Sequence, residues 1–135
     1  MVMRIPADAR FIRPVRLAVG GLASMLDVTV ETIDDLRIAV DELCSALLET
    51  GDGSALELEI SSFGRSLRID GTTGAGVGEI DEDRIRFSRQ ILSVIADSFG
   101  YEVDDGVVRC WIERGLDDGL DDLDGGIDLP PDEAP

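Results

Sequence analysis

Residues 55–63, Ala-Leu-Glu-Leu-Glu-Ile-Ser-Ser-Phe, constrain this fold more than any other stretch of the chain. Leu56, Leu58 and Ile60 alternate with Glu57 and Glu59, a period of two that gives a strand one apolar face and one acidic face. Such a strand belongs to an antiparallel sheet with a core on one side and water on the other. Gly64 turns the chain back into Arg65–Asp70 as a hairpin partner. A second hairpin spans residues 100–114 over Asp104-Asp105-Gly106, the strongest turn signal present. Residues 1–5 alternate as well and form a short strand closed by Pro6.

The remaining segments have helical periods. Asp8 caps a helix predicted over Ala9–Met25, with Ile12, Val15, Val19, Leu22 and Leu26 on one face. Pro14 falls in its first turns, where a missing N–H is tolerated, and Gly20-Gly21 predicts the close passage of another backbone. A second helix starts near Thr29 or Thr32 and ends before Gly51, burying Ile33, Leu36, Val40, Leu43 and Leu47. Residues 71–83 read as a Gly-rich connector, and residues 83–98 as a third helix that buries Phe87, Ile91, Val94 and Ile95. Helices interleaved with hairpins give an α+β two-layer sandwich: a mixed, mostly antiparallel sheet covered by about three helices. An all-parallel nucleotide fold is disfavoured.

A chain of 135 residues has room for one such domain, residues 1–114. Residues 115–135 carry eight acids and no base, too charged and too poor in apolar residues to order themselves, and read as a disordered acidic tail. The whole chain has 12 basic residues, all Arg, against 29 acidic ones, a net charge of −17, which argues against a grip on nucleic acid and for a protein partner. There is no His, which removes Ser-His-Asp and Cys-His catalysis and imidazole metal sites. Cys44 and Cys110 read as buried, reduced thiols, and with neither a membrane span nor a signal peptide the chain reads as cytoplasmic.

The second helix is the informative one. At about 100° per residue, Asp34, Asp41, Glu42, Ser45 and Glu49 gather opposite its buried stripe. Glu42 and Ser45 share an edge, where a carboxylate beside a small oxygen ligand suits magnesium-assisted phosphoryl transfer; a solvated acidic face has the same pattern. Ile38 sits among these polar residues and lines a pocket or meets a partner.

Residues 11–49 and 87–114, with "DDLRIAVDELCSALL" as the most specific piece, resemble the RsbW and SpoIIAB type of anti-sigma factor, serine kinases of the GHKL ATPase superfamily. The resemblance covers residues 1–114 and implies a kinase that uses ATP and magnesium, with sigma factor and anti-sigma antagonist as partners. It places Glu42 as the catalytic base, Ser45 where the family has a magnesium-ligating Asn, and Arg13 and Arg16 on the partner-docking helix. Asp70, with Gly74 and Gly76, loosely echoes the strand-ending motif whose Asp reads adenine, although the glycine register differs. Where the family brings bare Gly backbone to the phosphates, Arg86 and Ser88 stand, and Arg86 or Arg89 supplies charge instead. The resemblance also implies a homodimer through the first helix; Gly20-Gly21 serves packing on the sheet equally well. Two functions follow: a binding module that sequesters a sigma factor with weakened or absent kinase activity, and an active kinase that phosphorylates a serine on the antagonist. A third reading makes the tail the working part.

Overall fold

The computed structural model describes residues 1–77 and 81–116. The alternating segments form one five-stranded sheet: β1 (Val2–Ile5), β2 (Leu56–Phe63), β3 (Ser66–Gly74), β4 (Ser98–Asp104) and β5 (Val107–Gly115). Their order is β1-β2-β3-β5-β4, with every neighbouring pair antiparallel, so the expected mixed sheet is purely antiparallel among the described residues. The β4–β5 turn is the one expected. Asp105 and Gly106 have φ of 51° and 76°, the left-handed pair of a two-residue hairpin. β5 continues to Gly115, and the Leu116 amide donates to the Arg65 carbonyl, so the ordered chain passes residue 114. The rest of the acidic tail, from residue 117, lies outside the described residues.

Three helices cover one face of the sheet. Asp8 caps a single 3-10 turn over Ala9–Phe11, which leads into α1 (Ile12–Ser24). α2 (Val30–Thr50) is capped by Thr29, whose Oγ1 accepts the Thr32 amide at 3.1 Å. α3 spans Glu82–Ile95. Val15, Val19 and Ala23 of α1 meet Leu36, Val40, Leu43 and Leu47 of α2, which cover Leu58, Ile69, Val108 and Ile112 of the sheet. α2 lies directly on β3: a Cβ on Gly71 would stand 2.7 Å from Leu47 Cδ1 and 2.8 Å from Leu43 Cδ2. Only glycine permits that approach.

Three expectations need correction. The nearest neighbour of Gly20 is a side chain: its missing Cβ makes room for the Arg37 guanidinium, whose Nε lies 2.8 Å from where that carbon would be. The connector begins later than expected, because Gly71–Gly74 are strand residues paired with Val107–Cys110. α3 is rotated: Leu92 is its buried residue and Ile95 packs against the core as expected, while Phe87 and Val94 are 57% and 83% exposed. Polar tethers to α2, described next, fix that rotation. No described helix is long and apolar enough to cross a membrane.

Candidate functional site

Where α2 and α3 diverge above β4 and β5, the fold encloses a cavity of about 390 Å³. α2 lends Glu42, Ala46 and Glu49 to its wall, a spacing of four and three that keeps all three on one helical edge. Asp81 and the inner side of α3, including Arg84, Ser88 and Leu92, form the opposite wall. Phe99 and Tyr101 of β4 and Cys110 of β5 line the sheet side.

The two helices are tied across the cavity. Ser88 Oγ donates to Glu42 Oε1 at 2.7 Å, and Arg84 Nε lies 3.3 Å from Glu49 Oε2, within ion-pair distance but without hydrogen-bond alignment. These contacts turn Ser88 inward and Phe87 outward. At the start of α3, Asp81 Oδ1 accepts the amides of Asp83 at 3.0 Å and Arg84 at 3.3 Å. Tyr101 Oη is buried and has no hydrogen-bond partner. Burial pushes the Cys110 thiol up to about 12, with Cys44 adding to the shift, so it stays protonated and unreactive as a nucleophile at neutral pH.

Of the residues singled out from the sequence, Glu42 and Ser88 meet at the cavity. Ser45 is not on its wall; the next residue, Ala46, is. Asp41 turns the other way, accepting from Arg16 Nε at 3.0 Å, so the acidic face of α2 divides between its two neighbours. Asp70 lies on the sheet face opposite the helices, because strand alternation sends Leu67, Ile69 and Gly71 inward and leaves Arg68 and Asp70 outside, paired at 3.0 Å. Gly74 and Gly76 seat the end of β3 against the end of α2: Gly74 accepts the Asp52 amide and Gly76 donates to Thr50, each through the backbone. Arg86 is held by Asp83 at 3.1 Å on the exposed side of α3, and Arg89 lines the cavity. Arg13 is exposed.

This arrangement does not fit a magnesium-bound triphosphate. A phosphate at the start of α3 needs free amides, and a carboxylate has taken two of them. Glu82 and Asp83 add negative charge to the same turn. No group of three or more His, Cys, Asp and Glu among the described residues is arranged to hold a metal ion. Sequence reasoning missed Asp81, Ala46 and Tyr101. Asp81 was findable, since an Asp directly before a helical run is a capping signal.

The chain is 44% identical to the serine-protein kinase RsbW of Bacillus velezensis over 43 residues, 32% of this chain and 27% of that protein. It is 40% identical to RsbW of Halalkalibacterium halodurans over 47 residues, 35% of this chain and 29% of that protein. Its fold matches a Mycobacterium tuberculosis chain containing RsbU and RsbW domains, with a TM-score of 0.63 at 14% identity, over 86% of this chain and 32% of that one. The chain resembles RsbW. The RsbW-like stretch spans under a third of the length of the curated relatives it matches. No family model matches the chain. The RsbW-like fold accounts for the two-layer architecture.

Proposed function

We propose that this chain is an anti-sigma-factor-like regulatory protein that binds a sigma factor, its anti-sigma antagonist, or both in a partner switch, with weakened or absent kinase activity. The observation that carries this reading is the occupied start of α3, where Asp81 accepts the Asp83 and Arg84 amides. A triphosphate there would compete with a covalently tethered carboxylate and face Glu49 and Glu42 on the opposite wall. The RsbW-like scaffold and the net charge of −17 support protein binding, since an anionic surface complements basic, nucleic-acid-binding partners. Arg13, exposed on α1, is the better docking residue, because Arg16 is engaged by Asp41.

A second reading, an ATP-dependent serine kinase, draws its support from Glu42, which stands on the cavity wall where a catalytic base would act. Two measurements separate the readings. Mg-ATP at a hundredfold excess over its Kd would stabilise a nucleotide-binding protein by about 2.7 kcal/mol; the binding-module reading expects no thermal shift. Co-purification should recover a sigma factor or antagonist, with recovery reduced by Arg13→Glu. Phosphate transfer to an antagonist, lost in Glu42→Ala, would establish the kinase instead.

A further inference from the structure

α3 carries an outward face that neither the core nor the cavity uses. Phe87, Ile91 and Val94 recur along it at spacings of four and three, and Phe87 and Val94 are 57% and 83% exposed. Between residues 84 and 95 the helix has three arginines and no acid, in a chain of net charge −17. We propose that this face is the docking site of the chain's own acidic segment, residues 117–129, which folds back along α3.

Charge, residue pattern and chain path select that occupant. Arg89 is exposed, and among the described residues it has neither an ion pair nor a hydrogen bond. Arg86 is held only by Asp83, a solvent-exposed pair weak enough to be exchanged for a new carboxylate. Residues 117–129 set Leu120, Leu123, Ile127 and Leu129 among six aspartates. One segment therefore offers apolar groups to Phe87, Ile91 and Val94 and carboxylates to Arg86 and Arg89. The rest of the chain carries 12 basic against 21 acidic groups and repels this segment as a whole, so only a local face that is both basic and apolar can hold it. The path of the chain then favours α3. The Gly115 amide donates to the Asp97 carboxylate, two residues past the end of α3, so the segment leaves beside the C-terminal end of that helix. Residues 117–129 extend to roughly 40 Å, against about 21 Å for the 14 residues of α3. Tethering gives the segment an effective concentration of about a millimolar, so a weakly binding face suffices. α1 offers similar chemistry, with Arg13, Leu17 and Met25 exposed; the exit beside α3 decides between them.

A nitroxide attached through Gly125→Cys tests this in the full chain, because Cys44 and Cys110 are buried and escape labelling. Relaxation enhancement of the backbone amide signals, measured against the reduced label, should peak at residues 86–94 of α3. Arg89→Glu and Phe87→Ser, both at exposed positions, should each lower that peak several-fold and leave the amide spectrum of the core in place. A peak on α1 near Leu17 and Met25 would overturn the proposal, as would enhancement confined to the neighbours of Leu116 or a peak that neither substitution lowers. So would a peak equally strong when the nitroxide and the isotope label sit on different chains, which would assign the contact to a second copy.

Discussion

Single atoms decide much of this structure. Gly100 pairs with Trp111 across β4 and β5, and the indole crosses the space a side chain would fill: a Cβ on Gly100 would stand 2.0 Å from the ring. Gly100→Ala should therefore cost about 1–3 kcal/mol in urea unfolding through overpacking. The fluorescence of Trp111, the chain's one tryptophan, should change as the ring is displaced. The two thiols set a pH response. Burial first, and then the nearby Asp41 charge, push Cys44 up to about 12 from its ordinary 9.0; burial does the same to Cys110. Between pH 9 and 12 the unfolded chain releases these protons while the folded chain retains them, so stability falls as pH rises. The expected slope is about 1.4 kcal/mol per thiol for each pH unit above 9. Urea midpoints at pH 8 and pH 10 should show it, and the Cys44→Ala/Cys110→Ala double variant should flatten it.

Among the elements, α3 is where the sequence misleads, and it can be tested by mutation. Counting apolar residues picks the stripe of Phe87, Ile91, Val94 and Ile95; Ile95 does pack against the core, yet Leu92 is the buried residue and Phe87 and Val94 face water. Leu92→Ala should destabilise the protein by about 2–3 kcal/mol, whereas Phe87→Ala and Val94→Ala should each change stability by less than about 0.5 kcal/mol. Equal costs for the three would mean the helix packs on the other face. The reason the stripe misled is physical. α3 is short and rests on a sheet edge, so a Ser88–Glu42 hydrogen bond and an Arg84–Glu49 ion pair orient it, and pairwise polar contacts across helices leave no periodic trace. The strands behave oppositely. Alternation in residues 56–60 and the Asp105-Gly106 turn were legible because strand period and turn geometry are local. α2 was legible too, since its long apolar stripe meets the sheet along its length. The sequence singled out three residues that line the cavity, Glu42, Ser88 and Arg89. Placing Ser45 off the cavity and Asp70 on the far face depends on helix rotation and strand register, which the sequence does not write out residue by residue.

For the whole molecule, charge governs how stability and association respond to salt. A net −17 on 135 residues makes the folded chain repel itself, an effect that reaches about 30 Å in 10 mM salt and about 10 Å in 100 mM. The ion pairs on its surface oppose that repulsion weakly. Arg16–Asp41 and Arg84–Glu49 are each more than a third exposed and contribute little against so large an excess of acid. Tm should therefore rise by a few degrees between 10 mM and 200 mM NaCl, although the same salt weakens each pair. Capture of a basic partner should run the other way, losing affinity over the same range as the attraction is screened. A chain ending at Leu116 separates the two contributions. It loses all eight acids of the last 19 residues and keeps 12 basic against 21 acidic groups, a net −9. Its Tm should be higher in low salt and rise less steeply with NaCl. If the acidic segment also attracts the partner at long range, the shortened chain should associate more slowly at low salt and dissociate at an unchanged rate. A faster dissociation would instead assign the segment a direct contact in the bound complex.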